Sequence, residues 1–144
     1  MTQSFLNETS RGKHTELLAA FGLLFSKARR FYQYKAETAS SGNLRRHFAT
    51  LAELHQQILY LLPAPNSDCA VSEGMTALYE LSAWYANKRS HISLSTLQHQ
   101  LVQQLQLQKT AIRNFDLGPY QNSLLHFTAS LQIAADQLAN VQTR

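Results

Sequence analysis

The sequence predicts an all-α fold: two helical hairpins joined by a long crossing connection. Three observations predict it. Apolar residues recur at helical spacing through four long segments. Proline and glycine are scarce, three and five in 144 residues, which argues against an all-β chain. Tight turns follow the first and third long segments, whereas about thirty residues separate the second from the third.

Each element has its own signal. Residues 1–12 lack periodicity and are expected as a flexible N-terminal tail, with residues 13–144 forming one helical-bundle domain. From His14, Leu17, Phe21, Leu24, Ala28 and Phe31 form one apolar line, with Leu18, Phe25 and Tyr32 beside it. The stripe fades at Ala39, and Ser40-Ser41-Gly42-Asn43 is a short turn. A second helix carries Leu44, Phe48, Leu51, His55, Ile58 and Leu62, and Pro63-Ala64-Pro65-Asn66 ends it. So short a first turn makes these two helices an antiparallel hairpin.

Within the long link, Ser72 to Asn87 suits a shorter helix with Met75, Leu78, Tyr79, Leu81, Trp84 and Tyr85. Residues 93–115 read as one helix through Leu94, Leu97, Leu101, Leu105, Ile112 and Phe115. Asp116-Leu117-Gly118-Pro119 breaks it. The last helix has the cleanest pattern: Tyr120, Leu124, Phe127, Leu131, Ala134, Leu138 and Val141 step alternately by four and three, a seam facing the interior. An up-down-up-down bundle needs no long central link, but a ferritin-like one does.

The local patterns agree with that topology. Tyr34-Lys35-Ala36-Glu37 late in the first helix, Leu44-Arg45-Arg46-His47-Phe48 opening the second, and Gly74-Met75-Thr76-Ala77-Leu78 before the third carry a resemblance. So does the stretch Gln108 to Phe115. Over about residues 14–142 the chain resembles a family of uncharacterised bacterial ferritin-like four-helix-bundle proteins. The resemblance implies an all-α, ferritin-like four-helix bundle with a short crossing helix between helices 2 and 3.

The chain departs from that family where its metal chemistry would sit. Bundles of this kind hold iron or manganese through Glu and Glu-x-x-His on facing helices. Residues 93–115 contain no Asp or Glu; Gln103, Gln104, Gln106 and Gln108 stand there instead, and the family's third-helix acidic position falls on Gln108. No acid is followed three residues later by His, and Glu53 and His55 lie on different helix faces. Metal ligands are therefore read as lost, and no cofactor is expected. Glu37, Glu53, Gln104 and Gln108 are the vestigial polar positions. Gln104 and Gln108, one turn apart at the edge of the stripe, either line a neutral remnant of a metal site or sit on its shoulder and touch water. The shoulder is the expectation. His55, on the apolar line, is expected as a core histidine with a hydrogen-bond partner.

Charge and cysteine usage bound the remaining classes. The net charge of +4 belongs to residues 1–62, where eight Lys or Arg face four Glu; five bases and five acids cancel beyond. Lys27, Arg29, Arg30, Lys35, Arg45 and Arg46 flank the first hairpin turn with only Glu37 opposing them. They form either a solvated basic end or a contact for an anion, a nucleic acid or an acidic protein. Cys69 is the single cysteine, which fits a reducing cytoplasm. It has no His beside it to make it a nucleophile, and the neighbouring Asp68, an anion, does not favour a thiolate; the Asn7-Glu8-Thr9 sequon is then chance. Met1 to Lys13 is polar, so no secretory signal is expected, and no apolar run approaches the ~20 residues of a membrane span.

Leu101 to Arg113 imitates a helix-turn-helix pattern, but Gln106 stands where the turn residue is usually glycine, and Gln favours helix. One unbroken helix is expected there. No Gly-rich phosphate loop, Cys-x-x-Cys or nucleophile elbow is present. The sequence thus points to a non-enzymatic, cytoplasmic helical-bundle protein acting through protein–protein contacts, with a homo-oligomer among the forms such contacts take. The alternative is a nucleic-acid-binding protein using the basic end of the first hairpin or the segment at 101–113.

Overall fold

A computed structural model describes residues 2–63, 75–87 and 92–142, and the side chains of 15–63, 75–87 and 92–141. The described residues are all-helical: α1 (Thr2–Thr38), α2 (Gly42–Leu61), α3 (Thr76–Asn87), α4 (Leu94–Asn114), a 3-10 turn (Gly118–Tyr120) and α5 (Gln121–Gln142). None of these helices is long and apolar enough to cross a membrane. Cys69 and residues 72–74 of the expected crossing helix lie outside the described residues.

Helix ends follow from local chemistry. Ser41 is extended, and its hydroxyl accepts from the Leu44 N–H at 3.4 Å to start α2. Ser93 does the same for α4, accepting from Thr96 N–H at 3.1 Å. At the end of α2, Leu62 N–H still donates to Ile58 O, and Pro63 then stops the helix. Between α4 and α5 the Asp116 carboxylate accepts from Gly118 N–H at 3.0 Å, and Gly118 adopts φ +58°, which glycine takes without a Cβ penalty. Gln121 braces the turn: its carbonyl accepts from Leu117 N–H and its amide donates to Ile112 O, each at 3.0 Å.

The flexible tail predicted over 1–12 carries helical backbone from Thr2 onward, continuous with α1. Missing periodicity indicates that a segment buries no single face; it does not forbid helix, and no proline interrupts these residues. By contrast, α4 is unbroken from Leu94 to Asn114, as its Gln-rich composition predicts. The segment 101–113 lies wholly inside it, so the helix-turn-helix form of the nucleic-acid reading is not realised.

Helix directions can be read from neighbouring pairs. Gln98 reaches Leu138 O while Gln108 reaches Thr128, so α4 and α5 are antiparallel. Tyr32 lies against both Phe48 and His55, and Phe25 lies against His55, so α1 and α2 are antiparallel. Leu17 shares a cavity wall with Leu78, and Phe31 meets Trp84, so α3 runs with α1. α1 packs on α2 and α3, α2 on α5, and α5 on α4, while α4 also meets α3. The short helix therefore lies between α1 and α4.

The core is continuous across all five helices. The whole predicted stripe of α1 is buried, from Leu17 to Tyr32, as are Phe48, Leu51 and Ile58 of α2 and Leu97, Leu101, Leu105 and Ile112 of α4. Leu124, Phe127, Leu131 and Leu138 of α5 are buried as the alternating four-three seam requires. Aromatic rings concentrate at one level, where Phe25, Tyr32 and Phe127 surround the His55 imidazole with centroids 5.2–5.8 Å from it.

Candidate functional site: a buried polar relay

Four side chains on the apolar faces of their helices carry a hydroxyl or an imidazole: Tyr32 on α1, His55 on α2, Tyr85 on α3 and Thr128 on α5. Gln104 and Gln108 sit on α4. All six are buried, with Gln104 and Gln108 fully so at 0% exposure. This overturns the expectation that the two glutamines rest on the shoulder of the stripe. The shoulder of α4 is covered because α3 lies between it and α1. With water excluded, each amide must find protein partners, since an unpaired buried polar group costs about 1–3 kcal/mol.

The partners form one chain. Gln104 Nε2 lies 3.0 Å from His55 Nε2 and 2.9 Å from Gln108 Oε1. Tyr85 donates to Gln104 Oε1 at 2.8 Å, and the Tyr32 and Tyr85 hydroxyls are 2.8 Å apart. Gln108 Nε2 donates to Thr128 Oγ1 at 2.9 Å, and that hydroxyl donates to Leu124 O at 2.7 Å. His55 Nδ1 lies 2.7 Å from Leu51 O. The relay touches every one of the five helices.

Donor and acceptor roles are fixed throughout. An amide nitrogen can only donate, so His55 Nε2 accepts and the ring proton sits on Nδ1, donating to Leu51 O. Tyr85 uses its one hydrogen on Gln104 Oε1, so Tyr32 must donate to the Tyr85 oxygen. Gln104 uses both amide hydrogens, on His55 and on Gln108. Among the described residues no buried side-chain nitrogen or oxygen lacks a partner.

The layer is neutral. Burial pushes His55 down from 6.5 to about 4, and its bond to Leu51 O offsets only part of that. Burial, reinforced by Tyr85, pushes the Tyr32 phenol well above its ordinary value, and burial also raises Tyr85. The sign of the stability effect follows from His55. Its folded pKa lies below its unfolded one, so between 6.5 and about 4 the unfolded chain binds more protons and stability falls as pH falls. At ~1.4 kcal/mol per pKa unit, the unfolding free energy should drop by about 3 kcal/mol between pH 7 and pH 4 through this group. Urea titrations at several pH values check this: His55→Leu should flatten that part of the profile, and an unchanged slope would show that His55 is not the titrating group.

The remaining predicted site residues lie elsewhere. Glu37 and Glu53 are exposed and line one outer groove of α1 and α2 together with Arg29. They do not meet Gln104 and Gln108, so the four vestigial positions split between surface and interior. The six basic residues also split. Lys27 and Arg30 line a cleft between α1 and α3, whereas Arg29 faces the opposite groove and donates to Gln33 at 3.0 Å. The Lys35 ammonium sits 5.8 Å over the Phe31 ring. Arg45 and Arg46 are exposed at the start of α2, and Arg45 donates to Ser40 O at 3.4 Å. One convergent basic end is thus not formed, because successive helix residues point about 100° apart.

A metal pair of the kind implied by the family resemblance needs several inward carboxylates. The interior donor set here is one imidazole and two amides, all engaged with one another, and does not fit that group. Among the described residues no group of three or more His, Cys, Asp or Glu is placed to hold a metal ion. Sequence reasoning identified His55 but missed Tyr32, Tyr85 and Thr128 as its companions. Their signal was present: a hydroxyl on a buried line requires a partner. Comparison of the chain with protein-family models, curated proteins and solved structures gives no match.

Proposed function

We propose that this chain is a non-enzymatic, metal-free relative of ferritin-like four-helix bundles that acts through contacts with other proteins. The observation that carries this reading is the relay itself. Its one imidazole and two amides are committed to neighbours, and the layer offers no charge to a substrate or metal. Hydrogen-bonded polar layers of this kind hold a bundle in one packing arrangement. What is left for function is the outer surface, where Tyr60, Leu61, Val102, Leu125 and Ile133 are exposed.

Two measurements test this reading. Elemental analysis after incubation with ferrous and manganous salts should find no stoichiometric transition metal, and oxygen uptake should show no ferroxidase activity. About one iron or manganese per chain, or catalytic ferrous oxidation, would overturn the metal-free assignment. Cross-linking in cells, with the linked peptides identified by mass spectrometry, should place one recurrent protein on the surfaces of α2, α4 or α5; links that reach the chain's own copies only would identify a homo-oligomer.

A further inference from the structure

We propose that the cleft between α1 and α3 is a binding site for a phosphate ester carrying a flat base, the chemistry of a nucleotide. The proposal is independent of the metal-free, non-enzymatic role of the interior. It rests on what the cleft walls bring together. Lys27, Arg30 and Tyr34 stand at intervals of three and four along α1, which puts them on one side of the helix. Phe31 and Tyr85 also contribute to the wall, and Asn87 closes the rim from α3. The cleft encloses about 680 Å³ and is open to solvent, and none of its described lining residues is acidic.

Three features select the ligand. First, the cationic groups converge. Arg30 is exposed and Lys27 half-buried in one wall, and Lys35 lies over the ring of Phe31, which lines that wall. Guanidinium and ammonium groups recognise phosphate oxygens by charge-assisted hydrogen bonds. The nearest acid on α1, Glu37, lines the opposite groove with Arg29 and so does not neutralise this side.

Second, Tyr34 is 46% exposed although it belongs to a helix whose neighbouring aromatics are buried. An exposed ring one turn from Arg30 offers a stacking face for a base, an interaction that tolerates any base identity. Third, the Asn87 side chain carries both a donor and an acceptor, as the edge of a base requires. An acidic peptide would use the cations but not the ring and the amide. A membrane would need the charges on a projecting face, and these line a concave one.

The same chemistry reaches the cleft from a free nucleotide or from a single strand of nucleic acid, and the experiment separates them. A fluorescein-labelled single-stranded RNA of about twelve nucleotides is titrated with the full chain by anisotropy, from low to physiological salt, with adenosine monophosphate as competitor. Binding is expected at low salt. The pair Lys27→Gln and Arg30→Gln should weaken it at least about tenfold and make the slope of log affinity against log salt shallower by about 1.4, since each phosphate contact on a single strand contributes ~0.7. Tyr34→Ala should weaken it about fivefold or more and Tyr34→Phe should restore it, as stacking requires. Arg45→Gln with Arg46→Gln should leave it unchanged.

Competition by the monophosphate identifies the free nucleotide as sufficient; binding without competition assigns the strand, and either outcome supports the site. Circular dichroism establishes that each variant keeps its helices. Failure of both probes to bind at low salt, or binding indifferent to Lys27→Gln with Arg30→Gln, would overturn the proposal. A poly-glutamate peptide that binds as tightly as the RNA and is weakened by the same pair would assign the cleft to an acidic protein and would overturn it too.

Discussion

Replacing Gln104 by Leu is expected to destabilise the protein by about 4 kcal/mol or more, although the side chain's volume is nearly kept. Gln104 is the node of the relay. Its loss leaves His55 Nε2 and Gln108 Oε1 without donors and the Tyr85 hydroxyl without its acceptor. Each stranded group costs ~1–3 kcal/mol in a site that water does not reach. Tyr85 could turn its hydrogen toward Tyr32, but one of the two hydroxyls then still lacks an acceptor. The double substitution with His55→Leu should cost less than the sum of the two singles, because the second change removes a group that the first has stranded. Urea unfolding of the two single variants and the double gives these numbers. A cost below about 1 kcal/mol for Gln104→Leu would mean that water enters the layer or that the relay is not closed in solution.

Phe127→Ala should cost about 3–5 kcal/mol and Leu131→Ala about 2–5 kcal/mol, the range for large buried side chains cut back to a methyl group. Phe127 packs at 4.8 Å against Phe25 and at 5.2 Å against His55, counting between ring centroids. Deleting the ring opens space beside an imidazole, and that space can hold water as a wholly apolar cavity would not. The His55 pKa should therefore rise toward its ordinary value in this variant, and the acid branch of the stability profile should move with it. Leu131 is fully buried but is not part of the ring cluster around His55, so Leu131→Ala should lose stability without that pKa change. A loss below about 0.5 kcal/mol at either site would show a loosely packed seam.

Much of the fold was legible because it depends on short-range chemistry. Residues 40–43 turn, Pro63 stops α2, Gly118 turns, and the Leu124–Leu138 seam repeats at the helical period. The continuity of α4 through Gln106 followed from the absence of any residue that would break it. The relay was only half legible. A glutamine at the edge of an apolar stripe reads alike whether it faces water or protein, and its surroundings depend on α3, which belongs to the long link. Tyr32 and Tyr85 are 53 residues apart in sequence, and no local pattern announces that their hydroxyls meet. The basic residues were misplaced for another reason. Nearness to a turn in sequence says that Arg29 and Arg30 share an end, but one residue of helical rotation sends them into different grooves.

The fixed polarity of the relay also settles how far α4 can slide along its neighbours. Its leucines at 97, 101 and 105 recur every four residues, so a shift by one turn puts leucine on leucine at two of the three places and brings Lys109 or Ser93 into the third. The polar layer does not accept it in either direction. A shift one way brings Ile112 over Thr128, which then loses the amide that donates to it. A shift the other way carries Gln108 into the apolar place of Ile112, where no partner awaits it. The register of α4 is thus set by the two glutamines together with Lys109 and Ser93 at the ends of the leucine run.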